Sequence, residues 1–303
     1  MSEPRFTIGT DPEFFLINKE GRVISAIPHI PGTKHEPAPL PSGGTIQKDN
    51  VALEFATPPA KNRDDFVLKV GNAFRDIMIK IPEGHAIAVI PSAIFDDDQL
   101  DCPEALEFGC DPDYNAWTVS INEKPEHPNK NFRSCGGHVH VGHVPGDGNE
   151  FLLDPYGKIE VTKGMDCLHG IISVILDNSP ESVERRKLYG GAGCHRPTPY
   201  GVEYRVLSNF WMKSPYLVML VDSLTHDVLR AIKGKVLEEI INTIGENEVQ
   251  DIINKGLINE ARRVLERVLL NYMSKDSIHY YNVCVENVKS FDFIKEWQLE
   301  VAN

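Results

Sequence analysis

Residues 134–142 read SCGGHVHVG, and His138 and His140 alternate there with Val139 and Val141. A period of two is that of a β-strand, so both imidazoles point to one face. Two imidazoles on a strand suit a metal or an anion, and the preceding glycines let a ligand approach the backbone. The same pair also fits a sheet that it merely decorates. A cupin-type metal site would need a glutamate four or five residues after the second histidine. Val144 and Pro145 stand there, which removes that reading.

Three further stretches collect polar side chains on strand-like backbone. In GTDPEFF, Asp11 and Glu13 share one strand face, where buried carboxylates are costly unless paired or metal-bound. Pro12 also fits an exposed edge strand. DNVALEFATPP reads as a strand with Val51 and Leu53 on one face and Ala52 and Glu54 on the other, with Asp49 just before it. YGGAGCHRPTPYGVEYRVLSNFW sets Glu203 and Arg205 on one strand face. His195, Arg196 and a loop containing Gly190, Gly191 and Gly193 lead up to it. Glutamate beside arginine can be a simple ion pair, but a second arginine and the glycine loop fit an anion site better. No GxxxxGK[ST] is present, so this is not a P-loop. Taken together, several carboxylates, two histidines and two arginines describe a site for a metal–polyphosphate complex. Oxygen-ligated divalent cations offset the repulsion between carboxylates and phosphates, and arginine neutralises the remaining charge.

The elements that position these residues follow from periodicity. FTIGTDPEFFLI, the turn KEGR and VISAI read as a hairpin-type start, and residues 28–45, rich in proline and glycine, as an irregular loop. NRDDFVLKVGNAFRDIMIKI has helical periodicity, with Asn62 or Asp64 placed to cap it. HAIAVIP reads as a buried strand, residues 96–133 as a long surface excursion of the kind that covers a site, DPYGK as a turn, 163–178 as a helix, and VEYRVLSNFW as a strand. From Asp222 to Met273 the pattern is mostly helical. The expected architecture is α+β: strands with intervening helices and a helical C-terminal part packed on the same domain, divided as 1–221 and 222–303.

Composition narrows the partners. The 303 residues carry 31 basic and 44 acidic side chains, a formal charge of −13, and 41% apolar residues, enough for a substantial core. Such a balance disfavours general binding to nucleic acid or anionic membranes. The chain opens on no signal-like segment and holds no span-length apolar run, so a cytoplasmic protein is expected. Six cysteines include no CxxC, and reduced thiols are the expectation. Cys102 and Cys110 flank an acidic stretch, but no second pair between them completes a zinc set.

GTDPEFF, DNVALEFATPP, GGHVHVG and HRPTPYGVEYRVLSNFW, in that order over residues 5–215, resemble the phage-type COOH–NH2 ligase family. That family lies in the amidoligase branch of the glutamine synthetase/glutamate–cysteine ligase superfamily. The resemblance implies a curved, mainly antiparallel catalytic sheet with flanking helices, holding two or more Mg2+ ions (Mn2+ as the substitute) and ATP. It implies Asp11, Glu13, Glu54, His138 and Glu203 as metal ligands, and His140, Arg196 and Arg205 as phosphate contacts. Catalysis then falls to Arg196, Arg205 and Glu203. Asp11 stands where glutamate is usual, so its reach is shorter. The implied reaction activates a carboxylate as an acyl phosphate, which an amine attacks to give an amide, ADP and phosphate. An acidic loop residue would serve as base, Cys135 and Cys194 would not act as nucleophiles, and the location would be the host cytoplasm for a phage-encoded chain. Relatives in the superfamily assemble into oligomers. Two alternatives stand beside this one: a Zn2+ hydrolase using His138, His140 and Glu203, and an inactive nucleotide-binding scaffold.

Overall fold

The computed structural model describes residues 5–106, 113–123 and 127–299. Six strands carry the residues singled out above: β1 (Thr7–Asn18), β2 (Thr45–Asp49), β3 (Ala52–Ala56), β4 (Gly137–Gly142), β5 (Cys194–Thr198) and β6 (Gly201–Tyr204). They lie in one antiparallel sheet in the order β2-β3-β1-β4-β6-β5. Short strands extend it at both edges, Ala38–Pro39 beyond β2, and Tyr114–Asn115 then Ser120–Ile121 beyond β5. The C-terminal half of β1 leaves this row and pairs with Val23–Ile24 and His85–Ala88, so the expected opening hairpin and the HAIAVIP strand both form.

Alternation decides the two faces. Ile8 and Phe14 of β1, Phe55 of β3, Val139 and Val141 of β4, and Val202 and Tyr204 of β6 are buried on the helical side. Each such side chain contributes about 1.5–3 kcal/mol by leaving water. Against them pack α1 (Arg63–Met78), α2 (Pro155–Met165), α3 (Ile171–Leu176) and α5 (Pro215–Lys233), while α4 (Pro180–Leu188) packs on the strand Ser92–Ile94 and the helix Glu246–Lys255. One continuous core takes in this sheet face and the later helices, through Ile240, Val249, Val264 and Cys284. The helix α5 begins before residue 222 and runs through it.

Local chemistry explains where the elements begin. Asn62 caps α1, its side chain accepting the Asp65 N–H at 2.9 Å. DPYGK is not a turn but the start of α2: Asp154 accepts from the N–H groups of Tyr156 and Gly157, and Pro155 occupies the first helical position. The expected helix over 163–178 therefore starts earlier, and it passes through a π-helical turn at Asp166–Gly170 before α3. The strand expected over NVALEFA starts at Ala52, because Asn50 adopts φ +51° and makes a tight turn with Val51 between β2 and β3. The strand expected over VEYRVLSNFW ends at Tyr204. Ser208 then caps a 3-10 turn, Asn209–Lys213, whose buried Trp211 donates its indole N–H to the Gly137 carbonyl at 3.0 Å. In the excursion 96–133, short helical turns at Asp97–Gln99 and Pro103–Leu106 and three short strands are described, and Cys110 lies outside the described residues.

Candidate active site

The sheet register assembles the site. Asp11 pairs with His138, Glu13 with Glu54, His140 with Glu203, and Glu203 with Arg196. Directly paired residues of antiparallel strands project to the same side. Strands β1, β3, β4, β5 and β6 thus bring Asp11, Glu13, Glu54, His138, His140, Arg196 and Glu203 onto one face, whereas His195 pairs with Tyr204 and turns to the helical side.

The centre of that face is Asp11. Its Oδ1 lies 3.1 Å from His138 Nδ1 and 3.0 Å from His140 Nε2. His138 Nδ1 is also 3.5 Å from Glu203 Oε1. Glu203 is buried and grips both arginines: Arg196 Nη1 donates to its Oε2 at 3.2 Å, and Arg205 Nη1 donates to its Oε1. Arg205 Nε lies 3.8 Å from Asp113 Oδ2. Glu13 accepts the Gly136 N–H at 2.7 Å, and Glu54 accepts from Gln47 Nε2 at 2.8 Å.

Charge is unevenly satisfied across this face. Burial alone would raise Asp11, yet the His140 and His138 rings hold its carboxyl well below the usual carboxylate range. Burial opposes the charge on Glu203 too, and the Arg205 guanidinium outweighs it and draws its pKa down. The Asp11 carboxylate raises His140 against the opposing effect of burial. On the other side, burial followed by the nearby charges of Asp11, Asp49 and Glu13 pushes Glu54 well above its ordinary value. Burial and Glu13 push Asp49 up to about 6. The β1–β3 side of the face is therefore short of positive charge, the condition a bound cation relieves.

A metal ion fits the donor set. Asp11, His140 and Glu203 each offer a ligand atom, and these atoms lie within 4.8 Å of one another. Ligands bound at about 2.1 Å on opposite sides of an ion are about 4.2 Å apart, so small rotamer changes would close the set. His138 stands between Asp11 and Glu203, while Glu13 and Glu54 face each other across β1 and β3.

The glycines have a different task from the one their sequence suggests. A Cβ on Gly136 would collide with the His138 ring, and one on Gly137 would meet the Ser208 carbonyl and the Trp211 indole. They clear room for protein groups that brace the strand, rather than for a ligand. In the loop before β5, the N–H groups of Ala192 and Gly193 go to Asn254 Oδ1 and Asp166 Oδ2 at 2.7 and 2.6 Å. Those donors are taken internally rather than left for an outside anion. Cys135 and Cys194 are buried; burial pushes Cys135 well above its ordinary value and Cys194 up to about 12, which leaves both as thiols.

Sequence reasoning missed several groups. Tyr200, on the turn between β5 and β6, contacts His140 Nδ1 at 2.7 Å. An open-mouthed cavity begins at Glu13, His138 and Arg205 and is lined further by Asp49, Asp113, Arg133 and Arg185. Asp49 had a legible cue: with a two-residue turn at Asn50–Val51, it falls on the same face as Glu54. Arg185, from the second turn of α4, has no such local cue.

A family model described as Phage phiEco32-like COOH.NH2 ligase-type 2 matches residues 126–296. The match takes in β4 to β6 and most of the helical C-terminal part, and leaves β1 to β3 outside. No curated protein sequence matches the chain. Among solved structures, the fold is similar to that of a bifunctional glutathione synthetase from Pasteurella multocida, at a TM-score of 0.50 and 12% identity. The likeness covers 97% of this chain and 49% of that one, so this chain spans about half the length of that protein.

Proposed function

Because the chain belongs to the phage phiEco32-like COOH.NH2 ligase-type 2 family, whose model matches more than half of it, we propose that it is an ATP-dependent carboxylate–amine ligase working through an acyl phosphate. The observation that carries this reading is the convergence of Asp11, His140 and Glu203 on one point beside two arginines. The open antiparallel sheet with helices on one face supports a catalytic sheet of the glutamine synthetase/glutamate–cysteine ligase type, with 1–221 as the ligase core and 222–303 as its helical addition.

In this reading Asp11, Glu13, Glu54, His138 and Glu203 hold Mg2+, and His140, Arg196 and Arg205 contact the phosphates. His140 also belongs to the donor group, so it would serve the ion as well as the phosphate. When bound, the cation neutralises the triphosphate and draws charge from its γ-phosphorus. The arginines stabilise the charge that develops on the transferred group, and Glu203 fixes both of them in place. The acid's carboxylate oxygen bonds to the γ-phosphorus as ADP leaves. The amine then bonds to the acyl carbon, phosphate departs, and two protons leave the nitrogen.

The test is ADP and phosphate release from Mg–ATP with mixtures of acids and amines. Release should require one of each and fall at least about a hundredfold in Glu203→Gln, given what one charge-stabilising group contributes. Stoichiometric zinc with no Mg–ATP binding would favour a hydrolase built on His138, His140 and Glu203. That alternative leaves Arg196 and Arg205 without a task. Nucleotide binding without turnover for any pair would indicate a scaffold.

A further inference from the structure

Two charges in the cavity beside the metal face have no ion-pair partner among the described residues. Arg185 is buried, its Nη1 donating to the Val206 carbonyl at 2.8 Å and its Nη2 to the Leu207 and Arg205 carbonyls at 2.9 and 3.4 Å. Its Nε has no acceptor, and no carboxylate lies within ion-pair distance among the described residues. Burial pushes this guanidinium down to about 10, which the more distant charges of Glu13 and Asp177 offset only in part. Asp49 ends β2 on another wall of the same cavity, and its carboxylate has no hydrogen bond or ion pair among the described residues. Asp113, the other acid of that wall, already faces Arg205. Arg133 adds a second buried cation, held by Asn50 Oδ1 and by backbone carbonyls.

A cation and an anion that remain apart on one cavity are matched together by a molecule carrying both charges. A plain amine would leave Arg185 unmatched, and a plain acid would leave Asp49 unmatched. Because the cavity shares Glu13, His138 and Arg205 with the metal face, its occupant lies within reach of the phosphoryl site. We propose that this cavity binds a free amino acid as the amine substrate, with the ammonium against Asp49 and the carboxylate toward the wall made by Arg185 and Arg133. The proposal rests on the ligase reading for the role of that molecule, not for its binding.

Calorimetric titration of the full chain in Mg–ADP tests it, with the twenty standard L-amino acids one at a time, cadaverine as an amine without carboxylate, and propionate as an acid without amine. At least one amino acid should bind, with cadaverine and propionate at least ~10-fold weaker, because each leaves one buried charge unmet. Asp49→Asn, whose side chain supports no other group, should weaken that amino acid at least ~10-fold without lowering the melting temperature. No binding by any amino acid, equal binding by cadaverine or propionate, or unaltered binding to Asp49→Asn would each overturn the proposal. If the amino acid binds through Asp49 but no acid yields ADP release, the ligase reading falls and the cavity assignment stands.

Discussion

Tyr200 Oη lies 2.7 Å from Nδ1 of His140, whose other ring nitrogen lies 3.0 Å from Asp11. The tyrosine thereby holds the orientation of an imidazole in the proposed phosphate site, as outer-shell partners of histidine do elsewhere. Tyr200 is exposed over about half its surface, so its loss costs little packing. Tyr200→Phe should lower ATP-dependent turnover by about 10-fold, the worth of one such hydrogen bond. Parallel ADP-release assays and thermal melts check this. A lowered melting temperature at unchanged turnover would assign Tyr200 to the fold instead.

Glu203 has a structural role that its place in a donor set conceals. It is the shared counter-charge of Arg205 and Arg196, and both it and Arg205 are buried. Glu203→Ala strands a buried guanidinium and should cost roughly 3 kcal/mol of unfolding free energy. Glu203→Gln keeps an acceptor and should cost clearly less, while abolishing turnover as completely. Urea unfolding of the two variants separates these roles; equal stability losses would show that the charge of Glu203, and not an acceptor at that place, supports the arginines.

What the sequence discloses about this site follows from its construction. Asp11, His138, His140 and Glu203 lie on strands, where alternation alone puts neighbours at i and i+2 on one face, so their association was legible before any pairing was known. The register was not legible, because it depends on which strands neighbour which, and β1 meets β4 across more than 120 residues of chain. Tyr200 escaped for the same reason: its contact is between a turn and a neighbouring strand. DPYGK was misread because Asp and Pro favour both a turn and a helix N-terminus, and only the buried face of α2, with Val161 and Met165, decides between them. The paired glycines of GGHVH looked like room for a ligand since their crowding comes from His138 and Trp211, which no local pattern brings close.

Gly136 also gives a sharp steric test. Any Cβ there meets the His138 ring, and the Gly136 N–H holds Glu13. Gly136→Ala should swing His138 away from Asp11 and Glu203. We expect weaker Mg2+ binding, by about 10-fold, for a change in folding stability of about 1–3 kcal/mol. Metal titration followed by calorimetry reads the first, and a thermal melt the second. Unaltered Mg2+ affinity would remove His138 from the metal set.

His169 provides a pH dependence away from the site. It is buried in the π-helical turn, its Nε2 lies 3.0 Å from the Val221 carbonyl, and burial pushes its pKa down to about 4. An unfolded histidine titrates near 6.5, so the unfolded chain binds the extra proton first. Stability contributed by neutral His169 is fully present above that value and is lost as pH falls from about 6.5 through 4, by roughly 3 kcal/mol in all. Urea unfolding across pH 4–7 should show this slope in the parent chain and a flatter one in His169→Gln. An unchanged slope would assign the dependence to other groups.

The carboxylates beside the metal face predict the opposite pH trend and a metal that reverses it. Glu54 is held well above its ordinary pKa by burial and by Asp11, Asp49 and Glu13, and Asp49 is held at about 6 by burial and Glu13. Each keeps its proton more tightly folded than unfolded, so in metal-free protein each costs stability as pH rises from about 4 through its folded value. A divalent cation among these acids offsets their repulsion and competes with their protons. Mg2+ at 100 times its dissociation constant should add about 2.7 kcal/mol to unfolding. The gain should be larger at pH 8 than at pH 5, where protons occupy Asp49 and Glu54. Thermal melts with Mg2+ or with EDTA at the two pH values measure the difference. An Mg2+ effect of equal size at both, or one that persists in Asp11→Asn, would place the ion elsewhere.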